Sequence, residues 1–147
     1  MVGPTNFIGE WLIKIEPLTL SGEWLAKAGA DLLVCEQLLG QGAVFLETVS
    51  FHAQQAAEKS LKALLVARQV EFPKTHDIER LVELVALDDA ALAEALADAA
   101  ELTPFGVEYR YPGEYAPVTA ETARECVSTA RKVHDEISRR LSEDARQ

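Results

Sequence analysis

Between Gly40-Gln41-Gly42 and Pro73 the chain carries neither glycine nor proline, and its small and apolar residues recur at three- and four-residue spacing. Phe45, Val49, Ala53, Ala56, Ser60, Ala63 and Ala67 fall on one stripe, with Leu61, Leu64 and Leu65 beside it. That period is helical and does not suit a strand. It predicts a long helix from Ala43 to about Gln69, ended before Pro73. The small side chains in the stripe would let a neighbouring helix approach closely. Glu58 and Lys62 form a favourable pair one turn apart on it.

The rest of the chain supplies the neighbours. Trp24, Ala28, Leu32, Cys35 and Leu39 predict a first helix from Ser21 or Glu23 to Leu39, capped by Ser21 and stopped by the glycines. A third helix begins near Thr75 to Asp77, with either residue as its cap and Ile78, Leu81, Val82 and Val85 inward. Asp88-Asp89 caps an Ala-rich fourth segment with Leu92, Ala95, Leu96 and Ala99 inward, or breaks one longer helix. Thr103 to Pro117 reads as a long loop. A last helix follows from Thr119 to about Leu141, with Ala123, Val127, Ala130, Val133, Ile137 and Leu141 on its core face. The expected fold class is therefore all-α, an antiparallel up-and-down bundle of four to five helices. Residues 1–20, broken by Gly3-Pro4 and Pro17, read as an N-terminal extension to a domain of residues 21–147.

At 147 residues the chain has the length of one ordinary domain, with enough core to fold without disulfide or metal. Its formal charge of -10 argues against a general nucleic-acid coat, which needs many Lys and Arg contacts to phosphate. A local basic site or a basic protein partner is compatible with that charge. Cys35 and Cys126 sit far apart within apolar helical patterns and read as buried thiols in a reducing compartment. No apolar run has the length of a signal peptide or a membrane span, so the expected location is cytoplasmic.

Enzyme signatures are mostly missing. There is no Gly-rich phosphate loop, GxGxxG, HExxH or GxSxG, and no Cys/His spacing for zinc, so no metal and no cofactor is expected. Four polar features remain. His52, Gln55 and Lys59 share one helix face, fit either for bonding inside a bundle or dimer, or for holding a loop or ligand. His76 and Asp77 stand at a helix start, where the backbone can hold an anion or Asp77 can simply cap. Tyr109, Arg110 and Tyr111 could stack on a base and pair with a phosphate, or pin their loop to the bundle. Arg110 is expected near His76 or His52, closing one polar cleft. His134 reads as a surface or groove residue of the last helix.

Three segments in this order resemble the HEPN family, the helical proteins named for higher eukaryotes and prokaryotes nucleotide-binding. They are Glu23-Trp24-Leu25, the run from Phe51-His52-Ala53-Gln54-Gln55 to Lys62-Ala63-Leu64-Leu65, and Lys74-Thr75-His76-Asp77-Ile78. Arg110-Tyr111-Pro112 before a last amphipathic helix completes the pattern, over about residues 22 to 141. The resemblance implies a bundle that commonly forms a homodimer and often pairs with a minimal nucleotidyltransferase as a toxin–antitoxin module. It implies a nucleotide or RNA as ligand. In many members it implies metal-independent ribonuclease activity through an Arg-x(4–6)-His motif. This chain departs from that motif: Arg68 is too far before His76, Arg131 too near His134 and Arg124 too far from it. Three readings follow: a binding module, a ribonuclease whose Arg and His come from different helices or chains, or a ligand-free interaction domain.

Overall fold

The computed structural model describes residues 17–107, 112–113 and 116–146. These form six α-helices and no strand: α1 Pro17–Leu38, α2 Leu46–Ala67, α3 Ile78–Ala86, α4 Ala90–Ala95, α5 Thr103–Val107 and α6 Ala120–Ala145. A 3-10 turn, Ala43–Phe45, leads into α2, and a 3-10 stretch, Ala97–Leu102, joins α4 to α5. The all-α bundle is the expected one, with α3 and α4 separate and α5 raising the number to six.

The long helix sits at the centre. Val49, Ala53, Ala56, Ser60 and Ala63 of its small-residue stripe are buried, and α1 and α6 pack most extensively on it. Its alanines leave room for close approach. α1 runs antiparallel to it, since Ser21 meets Ala63 and Cys35 meets Val49. α6 runs parallel to it, since Arg68 just past its end reaches Asp144 near the end of α6. Leu61, Leu64, Leu65, Ile78, Leu81, Leu92, Leu96 and Ile137 are the largest apolar side chains fully enclosed. Each contributes about 1.5–3 kcal/mol by leaving water.

Several boundaries differ from the sequence reading. α1 begins at Pro17, ahead of Ser21. Proline suits a first helical turn, where its missing N–H has no partner to lose. Ser21 is not a cap: its hydroxyl donates to the Ala63 carbonyl at 2.7 Å, tying α1 to α2. Asp77 and Asp89 are caps, accepting from Glu79 and Arg80 and from Leu92. Ala95 is exposed while Ala93 is buried, and Leu84 is more deeply buried than Val82.

The connection from Arg68 to Asp77 shapes the candidate site. α2 ends with the Gln69 N–H on the Val66 carbonyl at 3.0 Å and the Val70 N–H on the Leu65 carbonyl at 2.9 Å. Gln69 takes φ 57° there, the left-handed conformation this ending requires. The chain then doubles back beside α2, so that His76 meets Glu58 and the next helix starts a second time from that level. Asp88, past α3, has returned to the level of Arg68. α3 is therefore parallel to α2.

Thr103–Val107 is the other correction: the start of the expected loop is helix α5. Pro104 fits its first turn. The Thr103 hydroxyl accepts from the Ile78 N–H at 3.1 Å, so the start of α5 is fixed to the start of α3.

Candidate functional site

Within α2, Gln54, Glu58 and Lys62 lie one turn apart among alanines and leucines, and all three are buried. Neighbours on one helix face, they bond in sequence. The Lys62 ammonium donates to Glu58 Oε2 at 2.9 Å, and Gln54 Nε2 donates to Glu58 Oε1 at 3.0 Å. His76 Nδ1 meets that same Oε1 at 2.9 Å. Gln54 Nε2 also reaches the His76 carbonyl at 3.2 Å, and Gln55 Nε2 donates to Gln54 Oε1 at 2.7 Å. Lys62 lies 5.5 Å from the Trp24 ring centre and 5.8 Å from that of Phe72. Two aromatic faces thus shield a buried ammonium.

Burial by itself would push the Glu58 carboxyl up. The hydrogen bonds from Lys62, Gln54 and His76, with the Lys62 charge, outweigh it and hold the group below the ordinary glutamate value. Glu58 is thus a charged carboxylate inside the bundle. It presents His76 at the surface, where 57% of that side chain is exposed. With Nδ1 committed to Glu58, the imidazole's Nε2 remains for the groove beyond.

That groove is open, with a volume of about 730 Å³, and runs between the Lys74–Glu79 segment on one side and Ala100, Thr103 and Pro104 on the other. Lys74 is its cation and Asp77 and Glu79 its carboxylates. Of the two roles weighed for the start of α3, an anion site or plain capping, its amides serve capping. The Asp77 N–H goes to Thr75 Oγ1 at 3.0 Å and the Ile78 N–H to Thr103. The Glu79 and Arg80 N–H groups go to Asp77. Capping has used the amides a phosphate would need.

The His52, Gln55 and Lys59 face divides. His52 Nδ1 and Lys59 Nζ converge on opposite oxygens of Asp31, each at 2.8 Å, and tie α2 to α1. Gln55 instead joins the Gln54 network. Asp31 is 7% exposed and was not singled out from sequence. It lies in an apolar helix pattern, and only an unpaired acid there hinted at a partner. Gln54, Glu58 and Lys62 were also missed as site residues, although the Glu58–Lys62 pair forms as expected. His134 lies 21% exposed, 3.6 Å from Asp135. Tyr109, Arg110 and Tyr111 lie outside the described residues, and with them the expected Arg110–His76 cleft.

Cys35 and Cys126 are buried, as read. Burial pushes their thiols up, to about 12 and about 11. Among the described residues no three His, Cys, Asp or Glu side chains are grouped to hold a metal ion, and no helix is long and apolar enough to cross a membrane.

Compared with known families, residues 21–141 match the model described as HEPN domain. No curated protein and no solved structure matches the chain.

Proposed function

The chain belongs to the HEPN domain family, and from that premise we propose that it is a homodimeric binding module that takes a nucleotide in the His76 groove and acts beside a minimal nucleotidyltransferase, as in a toxin–antitoxin pair. The observation that carries the nucleotide reading is His76, held at Nδ1 by a buried carboxylate and open to the groove on its other side. Asp77 and Glu79 suit ribose hydroxyls, which carboxylates accept well. Lys74 suits a phosphate at the rim. The nucleoside part therefore seats in the groove, with the phosphate outside the capped helix start.

Membership of a family that commonly dimerises supports a second copy. Sedimentation at micromolar concentration is expected to show a dimer; a monomer alone would remove this part. For the ligand, AMP and GMP are titrated while the backbone amides of Thr75 and Thr103, which line the groove, are followed by NMR. Saturable shifts are expected in the parent chain and none in Lys74→Ala/His76→Ala. Equal affinity in that variant would place the nucleotide elsewhere. Co-purification with a co-expressed small nucleotidyltransferase tests the partner, and its failure at micromolar concentration would remove it.

One observation favours a second reading, RNA cleavage. A carboxylate on one nitrogen of an exposed imidazole orients the other as a general base, here for a 2'-hydroxyl, with Lys74 beside the phosphate. Cleavage of RNA in EDTA that His76→Ala abolishes would establish it. Cleavage undiminished in that variant, or none at all, would exclude it.

A further inference from the structure

Gln54 is fully buried, and its carboxamide touches both the His76 segment and α5. One Nε2 hydrogen goes to Glu58, which holds the His76 ring, and Nε2 also reaches the His76 carbonyl. On its other side lies α5. A Cβ built on Gly106 would stand 2.6 Å from Gln54 Cδ, 2.7 Å from Oε1 and 2.9 Å from Nε2. No real Cβ sits that near, so the α5 backbone lies directly against the amide, and any side chain at position 106 must displace it. The other end of α5 is tied through Thr103 Oγ1 to the Ile78 N–H, at the foot of the His76 segment. Thr103 and Pro104 themselves line the groove. One wall of the groove thus bears on the buried amide that positions the imidazole of the opposite wall.

We propose that α5 is a regulatory wall of the groove, with Gln54 as the positioning residue that passes a displacement of α5 to His76, and passes ligand contact at His76 back to α5. This deepens the nucleotide reading by naming what sets the site's shape. A packed amide with every bond made has little room to yield, so a shift on one face is transmitted to the other. Glu58 and Lys62 of α2, Asp77 and Glu79 at the start of α3, and Lys74 before it are the charged groups around His76. None of them lies on α5, so the coupling is one of packing and hydrogen bonds.

The test uses the full chain without ligand. Gly106→Ala is expected to move the His76 imidazole resonances, because its methyl must push the Gln54 amide aside. Gly22→Ala, which has open space around it, is expected to leave them in place. Gln54→Ala moves them as well but makes room, so the added Gly106→Ala change in the double variant should shift them no further. Should Gly106→Ala fail to fold, Thr103→Val releases the other end of α5 and is expected to move the same resonances. Unmoved His76 signals in the folded variants, or shifts that simply add in the double variant, would overturn the proposal. AMP is then the probe of the return path. It should shift the Gly106 amide in the parent chain and not in Gln54→Ala, and its affinity for Gly106→Ala should fall roughly tenfold. Absence of AMP binding would end the nucleotide reading and leave the ligand-free coupling standing on its own result.

Discussion

Glu58 and Arg68 each gather three polar partners beside the same helix, and the two clusters differ in what surrounds them. Glu58 and Lys62 are 3% and 8% exposed, walled by Trp24 and Phe72, with His76 as their one outlet. Arg68 binds Asp88, Asp89 and Asp144, and Arg140 joins through Asp89, but those acids keep between 19% and 49% of their side chains in solvent. Coulomb attraction is similar in kind at both. In the first cluster no water replaces a lost partner; in the second, water does so at once. The comparison separates a charge that the fold must satisfy internally from charges that decorate a helix junction.

The largest expected effect breaks the buried cluster. Glu58→Ala leaves the Lys62 ammonium enclosed and alone, and should cost about 3–5 kcal/mol in denaturant unfolding. Replacing both residues, Glu58→Leu/Lys62→Leu, should recover most of that loss, because the isolated charge is then gone. A double variant as unstable as the single one would show that shape, not charge, is decisive there.

His52→Ala is intermediate, at about 1–3 kcal/mol, since buried Asp31 keeps Lys59 as a partner. Arg68→Ala should cost only about 1 kcal/mol, and that cost should shrink in molar salt, whereas the Glu58→Ala cost should not. Equal salt sensitivity of the two would erase the distinction.

Acid offers a further check. Glu58 is held below the ordinary value of 4.5, and Asp89, bonded by the Leu92 amide and by Arg68 and Arg140, below 3.8. Depressed carboxyls stabilise fully above their unfolded values, and that stability is lost as pH falls through the lowered folded ones. Glu58→Gln should therefore flatten the stability curve below about pH 4.5.

The smallest effect concerns the thiols. Cys35 and Cys126 stay protonated in the fold to about 12 and about 11, against 9.0 when exposed. Stability should drift down as pH rises above 9.0, and a thiol reagent should label neither cysteine until the protein unfolds. Labelling of native protein at neutral pH would contradict their burial.

The helices were legible because burial leaves a period. Val49, Ala53 and Ala56 announce α2, and Ala123 through Ile137 announce α6. Helix α5 was hidden because its helical form depends on Thr103 meeting Ile78 and Gly106 meeting Gln54, partners far away in sequence. In the site, His76 and Asp77 were visible as residue types at a turn, and Asp77 took the capping role weighed for it. Glu58 and Lys62 read only as a favourable pair one turn apart, because spacing on a helix does not say which face is covered. Trp24 of α1, together with the chain doubling back at Gln69, encloses them. Asp31 was silent for the same reason: its two partners are contributed by another helix.

That reversal at Gln69 leaves a reserve of stability unspent. A residue with a Cβ holds φ 57° where glycine would sit without penalty. Gln69→Gly should raise the unfolding free energy by up to about 1 kcal/mol, read as a higher denaturant midpoint at unchanged slope. The chain can therefore be given a margin at a position remote from the groove. A background of that kind lets damaging variants at Glu58 or Gly106 be studied as folded proteins, and a lower midpoint would show that the Gln69 side chain itself holds the turn.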